Sequence, residues 1–238
     1  MSVWKKAQKL RNKKMTKPCR PEEEKLIFTE GIDYSKTGKN SIWGAGDKDT
    51  LELLKKIKIH GKWLNLSAGD GRYNLNLLKK ADLVVASDID KSALEKLQNN
   101  TVERYRSKLQ IKSFDITKKF LFKNASFDGI FCTGTLHFFP REILRQIILE
   151  MSRILKNDGK IIIDFATDIK RILPDGKLYI RKSEPLYEIQ EAVKILKDYF
   201  KDYKIKIIKS KVPKEKVKTR GIVYKFSCKF ILLIADKK

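Results

Sequence analysis

Residues 62–88 carry glycines and polar side chains suited to binding a nucleotide-like ligand. Gly69 and Gly71 lie in a turn that follows the apolar run Trp63–Leu66. A glycine-containing turn between a strand and a helix leaves backbone N–H groups unpaired, and these groups suit an anionic or carboxylate-bearing ligand. Asp88 ends the next apolar run roughly 20 residues later, where a ribose-binding acid would stand.

Asn65 is polar inside an otherwise apolar strand segment. An unpartnered buried amide costs free energy, so we expect this side chain to meet a partner at the strand's carboxyl end. A nicotinamide fingerprint fits poorly, because Asn74 stands where its third glycine belongs. From the glycine pair alone, a tight βα turn without a ligand is the alternative.

Apolar segments of alternating period predict the elements that position these residues. Predicted strands and helices alternate along the chain: strands at 62–66, 83–87, 109–114, 129–132 and 160–165, and helices from 74, then at 91–106, 141–155 and 186–200. Two β-rich runs, 203–212 and 222–235, follow. The pattern predicts an α/β fold: a doubly wound, seven-stranded, mainly parallel sheet with an antiparallel last strand and helices on both faces.

The remaining segments divide the chain into one domain and an N-terminal extension. Residues 1–20 are basic and contain no acidic residue, which predicts a basic N-terminal arm. Residues 21–48 are predicted to form a lid or loop segment. Residues 49–238 are predicted to form the main domain. Asp47 or Asp49 is expected to cap a helix over residues 50–58. Residues 168–184 and 213–221 are expected to be charged loops.

Charge and composition limit the classes of function. The net charge of +24 favours a polyanionic partner such as RNA, although a lysine-rich surface without such a partner is the alternative. Three widely spaced cysteines and two histidines predict neither a disulfide framework nor a metal site. No apolar run is long enough to span a membrane, so we expect a soluble, cytoplasmic protein; the sequence sets no oligomeric state.

Residues 65–71, NLSAGDG, resemble motif I of the class I S-adenosylmethionine-dependent methyltransferases. Asp88-Ile89 matches the family's ribose-binding acid and the apolar residue that packs on adenine, and residues 114–116, FDI, match the loop beside the adenine amino group. Residues 126–138, SFDGIFCTGTLHF, look like motif IV of the branch that methylates small molecules and some tRNA bases. The resemblance covers roughly residues 47–236.

The resemblance implies S-adenosylmethionine as cofactor and a set of residues that hold it: Asn65, Ser67, Ala68, Gly69, Gly71, Asp88, Ile89, Asp115, Ile116 and Thr133. Two positions depart from the family pattern. Asn65 replaces the usual acid, and Ser67 replaces the usual first glycine. We expect weaker cofactor binding from the first change, and a backbone that avoids positive φ at the second.

His137 follows predicted strand four and is the candidate general base, a packed histidine being the alternative. The Asn/Asp-Pro-Pro-aromatic loop of exocyclic-amine methyltransferases is absent, since residues 133–136, TGTL, occupy its place. The leading hypothesis is methyl transfer to an unidentified small-molecule acceptor. The alternatives are an RNA methyltransferase, acting on tRNA or rRNA through its basic surface, and a non-catalytic methyltransferase-like binding module.

Overall fold

The computed structural model describes residues 32–181, 184–219 and 222–238. Its centre is a seven-stranded sheet with the order β3-β2-β1-β4-β5-β7-β6. The strands are β1 (Lys62–Leu66), β2 (Leu83–Asp88), β3 (Leu109–Ser113), β4 (Phe127–Cys132), β5 (Leu155–Ile172), β6 (Tyr203–Thr219) and β7 (Ile222–Lys237). Strands β1 to β5 pair in parallel, and β7 runs antiparallel to both β5 and β6. The predicted fold class is confirmed.

Five α-helices accompany the sheet in the described ranges: α1 (Lys48–Lys56), α2 (Asn74–Leu78), α3 (Lys91–Asn100), α4 (Arg141–Ile154) and α5 (Ile189–Tyr199). Because side chains alternate along a strand, β1 contributes to two apolar clusters. Leu64 and Leu66 lie in a cluster with residues of α4 and α5, whereas Trp63 lies in another with residues of α1 and α2. Helices therefore cover both faces.

The last three strands are longer than predicted. Strand β5 continues through the start of the expected loop 168–184, β6 takes in residues 213–219 of the expected loop 213–221, and β7 ends two residues later than predicted. Backbone pairing with β7 extends both strands: Lys170 of β5 pairs with Ser227, and Thr219 of β6 pairs with Ile222. These segments are charged and lack the apolar alternation that predicts a strand, and Pro213 falls where the register of edge strand β6 shifts.

Two helix predictions also change. The helix predicted over 91–106 ends at Asn100, and a 3₁₀ helix covers Glu103–Lys108. Thr101 donates its hydroxyl to the Leu97 carbonyl and closes the last turn. Asp47 occupies the N-cap position of α1, but its carboxylate accepts from Tyr73 instead of capping the helix.

Three other expectations concern the chain as a whole. In the ranges described above, no helix combines the length and apolarity that crossing a membrane requires. Cys132 and Cys228 are free thiols. The basic arm predicted at residues 1–20 lies outside the described residues.

Candidate functional site

The carboxyl ends of β1, β2 and β4 meet at one edge of the sheet, where the longer strand β5 passes them. Leu66, the last residue of β1, is level with Ser87 on β2 and with Cys132 on β4, and Cys132 is level with Ile163 on β5. The segments that follow these strands are therefore neighbours. This edge is where ligands bind in open α/β sheets.

The turn after β1 is compact. The Ala68 N–H donates to the Ser87 carbonyl at 2.8 Å, which ties the turn to β2. Gly69 and Gly71 have φ of 54° and 92°, and a Cβ on Gly71 would stand 2.9 Å from Leu97. Glycine is required at position 71 for both reasons.

The expectation for Ser67 was wrong. Its φ is 55°, a left-handed value that costs a non-glycine residue about 1–2 kcal/mol. Ser67 lies directly between the end of β1 and Ala68, whose N–H is bonded to β2. Serine accepts the conformation that the family's usual glycine adopts freely.

Asp88 holds the turn to the start of α3. Its Oδ2 accepts from the Gly69 N–H and its Oδ1 from the Asp90 N–H, both at 2.9 Å. Burial raises the pKa of this carboxyl. Each carboxylate oxygen has a further lone pair, so the two could also accept from two hydroxyls of a ribose. The N-cap of α3 is Asp90, whose side chain accepts from two backbone N–H groups.

Asn65 is buried and has a side-chain partner. Its Nδ2 donates to Asn74 Oδ1 at 3.1 Å, which fixes the orientation of its amide and leaves its Oδ1 to accept a hydrogen bond. Asn74 is also buried, and its Nδ2 has no hydrogen-bond partner among the described residues. The pair therefore offers an acceptor and a donor at the turn.

The loop after β3 lies beside Asp88, because the Phe114 N–H donates to the Asp88 carbonyl at 3.3 Å. Asp115 accepts from the backbone and hydroxyl of Thr117 and so shapes the loop itself. Ile116 is buried in the core, whereas Ile89 is 38% exposed. Of the two isoleucines predicted to lie beside the cofactor, only Ile89 has a side chain open to a ligand.

Asp164 on β5 belongs to this edge, and the sequence analysis missed it. It is buried, and its Oδ1 accepts from the Gly134 N–H at 2.6 Å, directly after the predicted cofactor residue Thr133. Burial raises the pKa of the carboxyl to about 8. A single acidic residue inside the apolar run of residues 161–166 was the available signal, by the same reasoning that drew attention to Asn65.

His137 lies in a short 3₁₀ helix, Leu136–Phe138, beyond β4. It is buried, its Nδ1 has no hydrogen-bond partner in the described ranges, and its ring centroid is 4.1 Å from that of Phe138. Burial lowers the pKa of the imidazole to about 4. The histidine is therefore packed and uncharged at neutral pH, and its role as a base stays a prediction.

Arg171 and Glu184 form a buried ion pair beyond the end of the predicted β5. The guanidinium donates to both carboxylate oxygens at 2.6 and 2.8 Å, and the side chains are 5% and 2% exposed. Such a two-point contact fixes both planar groups. The pair is close enough to His137 to influence its pKa in opposite directions. Sequence spacing gives no signal for it, since the extension of β5 was not predicted.

Residues 64–163 match the family described as a methyltransferase domain. Among solved structures, YcgJ from Bacillus subtilis is 16% identical with a TM-score of 0.60, covering 81% of this chain and 99% of that chain. TehB from Haemophilus influenzae is 23% identical with a TM-score of 0.59, covering 82% and 63%. DhpI in its complex with SAH is 17% identical with a TM-score of 0.53, covering 79% and 81%. No curated protein matches the chain.

The family match falls on the turn after β1, on Asp88 and on β4, where the site was built above. Residues 64–163 therefore carry a methyltransferase domain, and the match supports a class I S-adenosylmethionine-dependent methyltransferase. The predicted family and its cofactor, S-adenosylmethionine, are thereby confirmed. The structural likenesses, all under 25% identity, show the fold of this methyltransferase and leave its acceptor open.

Proposed function

We propose that this methyltransferase methylates a small, uncharged acceptor. The observation that carries the proposal is the wall beyond β4 and β5, where His137 and Asp164 are buried. With pKa values of about 4 and about 8, both side chains are predominantly uncharged at neutral pH. Phe165 lies beside His137, with ring centroids 6.2 Å apart, and Tyr187 packs on Phe165, with ring centroids 5.1 Å apart. Such a wall favours an apolar or neutral molecule over a phosphate-bearing one.

The residues of the turn fit the cofactor. Asn65 Oδ1 would accept from its ammonium group, and the unpartnered Asn74 Nδ2 would donate to its carboxylate. Asp88 would accept from the ribose hydroxyls, and the exposed Ile89 would pack on the adenine. The loss of a charged acid at position 65 weakens this set by about 1 kcal/mol, the usual margin of a charge-assisted bond over a neutral one.

The bound cofactor supplies a methyl group made electrophilic by a sulfonium. The chain's contribution is to hold the acceptor in line and to exclude water. A hydroxyl or thiol acceptor that takes the methyl group becomes a positively charged, strongly acidic oxonium or sulfonium, so even a weak base suffices for its proton. The uncharged imidazole of His137, with a pKa of about 4, could accept that proton.

The test is methyl transfer from radiolabelled cofactor to three acceptor sets: small neutral amines, thiols and phenols; phosphorylated metabolites; and unmodified tRNA and rRNA. Labelling confined to the first set supports the proposal. Labelling of RNA alone would replace it with the second candidate. Cofactor binding without labelling of any set would favour the non-catalytic module. NAD, tested in parallel by calorimetry, controls for nonspecific nucleotide binding.

A second candidate, methylation of RNA, is favoured by the lysines on the extended strands. Lys211 lies directly opposite Lys229, and Lys216 opposite Lys225, and all four side chains are exposed. Like charges facing each other across strands destabilise a sheet, so their presence fits a polyanionic partner. The surface lies on the part of the sheet that extends past the site edge.

A further inference from the structure

Residues 41–47, here called the strap, cross the turn after β1 and are anchored at both ends. At one end Ser41 Oγ donates to Asp70 Oδ1 at 2.5 Å. At the other, the Asp47 N–H donates to the Tyr73 hydroxyl at 2.8 Å, and that hydroxyl donates to Asp47 Oδ2 at 2.9 Å. Asp70 and Tyr73, whose side chains form these anchors, belong to the segment that connects β1 to α2. The strap is therefore fixed to the same segment that forms the cofactor site.

Lys96 on α3 completes the first anchor. Its Nζ lies 3.0 Å from Asp70 Oδ2, and it also donates to Thr37 Oγ1 at 2.7 Å and to the Asn40 carbonyl at 2.8 Å. The Lys96 and Asp70 side chains are 4% and 0% exposed. All three donors of the ammonium group are used, so this buried charge is satisfied. The carboxylate of Asp70 is committed to the strap and is not left for a ligand.

Trp43 lies between the two anchors. A turn in which the Gly44 N–H donates to the Ser41 carbonyl presents it, and the Trp43 N–H donates to Ser41 Oγ at 3.2 Å. The indole nitrogen is 3.7 Å from the position that a Cβ on Gly69 would take. Nevertheless 41% of the Trp43 side chain is exposed. A large aromatic side chain held in place but left open has apolar surface available for a ligand.

The surroundings of Trp43 are those of the cofactor site. Gly69, against which it lies, donates its N–H to Asp88. Ile42 and Ile89, on the segments to either side of this contact, are 39% and 38% exposed. We propose that Trp43 contacts the bound cofactor, and that Asp70 and Lys96 are positioning residues that hold it there. This inference rests on the proposed function, since it requires the cofactor at this turn.

The test measures the affinity for S-adenosylhomocysteine by calorimetry. Trp43→Ala should weaken binding at least tenfold, because the aromatic surface is lost, whereas Trp43→Phe should weaken it at most threefold. Leu149→Ala, which truncates another exposed apolar side chain on α4, is the matched control and should leave the affinity unchanged. Equal affinity of wild type and Trp43→Ala would overturn the inference while leaving the proposed function standing. Absence of binding by the wild type would overturn both.

The anchoring is tested without any cofactor. The Ile42 N–H donates to Asp70 Oδ2 at 2.8 Å, so its amide should exchange slowly with deuterium in the wild type. Ser41→Ala removes one partner of Asp70 without leaving a buried charge unpaired. It should speed exchange at Ile42 and Trp43 at least tenfold and weaken cofactor affinity, whereas Trp43→Ala should leave exchange at Ile42 slow. Fast exchange at Ile42 in the wild type would overturn the positioning role of Asp70 and Lys96.

Discussion

Replacing Asp164 with asparagine should change how stability depends on pH. In the folded chain burial raises the pKa of this carboxyl from 3.8 to about 8, so the folded state holds a proton that the unfolded state has released. Stability from this group is therefore complete below pH 4 and is lost as pH rises towards 8, at about 1.4 kcal/mol per pH unit. Asparagine keeps an oxygen that can accept from the Gly134 N–H but does not titrate.

The measurement is urea unfolding of wild type and Asp164→Asn at pH 5, 6, 7 and 8. Subtracting the two free energies of unfolding cancels every other titrating group. Between pH 5 and pH 8 the advantage of the variant should grow by roughly 3.5 kcal/mol. At any single pH, the difference in unfolding free energy also contains the cost of burying the asparagine amide. The change of this difference with pH is therefore the quantity to compare.

Asp175→Asn is the matched control, since Asp175 lies exposed in a turn and the bonds it accepts from Lys177 lower its pKa. It stays ionised across this range, so its free-energy difference from the wild type should stay level. If the difference for Asp164→Asn were also level, to within about 0.5 kcal/mol, Asp164 would ionise normally. Asp164 would then be charged at neutral pH, and the argument for an uncharged acceptor would fail.

Four further outcomes are expected. Asn65→Asp should tighten binding of S-adenosylhomocysteine several-fold in calorimetry, because a carboxylate attracts the ammonium group more strongly; weaker binding would contradict the assignment of this residue. Asp88→Asn should weaken binding at least tenfold and also lower the melting temperature of the free protein, because one backbone N–H loses its acceptor; an unchanged melting temperature would argue against the tether. A catalytic His137 predicts a kcat that rises with pH around 4 and is then level, with His137→Gln lowering that level at least tenfold and KM little; an unchanged kcat would leave a packing role. If residues 1–20 contact RNA, their removal should make the slope of log K against log salt shallower by about 0.7 per lost contact, as measured by fluorescence anisotropy; an unchanged slope would separate the arm from RNA binding.

The sequence predicts the fold well where apolar periodicity and turn residues agree. The alternation of strands and helices from residue 62 to residue 165 is of this kind, and the glycines of the first turn mark its position correctly. Strand extension past residue 165 was not predictable in the same way. There the chain is held by backbone pairing with β7, and pairing between distant segments leaves no periodic signal in a charged sequence.

The candidate site divides along similar lines. Asn65 and Asp88 were identified because polar groups stand out at the end of an apolar run, and Asp164 follows the same rule. The sequence analysis assigned no role to Asp70. Its partner Lys96 lies 26 positions away, and Lys96 itself looks like one more surface lysine in a lysine-rich chain. Only the packing of α3 against the turn reveals that the two charges are buried together.

The strand order also bears on how the chain folds. Strand β7 is last in sequence but lies between β5 and β6, so the outer edge of β5 stays unpaired until β7 arrives. That edge belongs to the run Ile161–Ile163, which is fully buried in the folded chain. Before β7 pairs with it, the apolar edge is exposed and can pair with the wrong strand. Within the described sheet β6 pairs with β7 alone, and the two form a hairpin of local contacts. Closure of the sheet by this hairpin therefore has to follow the synthesis of β5, and until then β5 lacks its partner on that side.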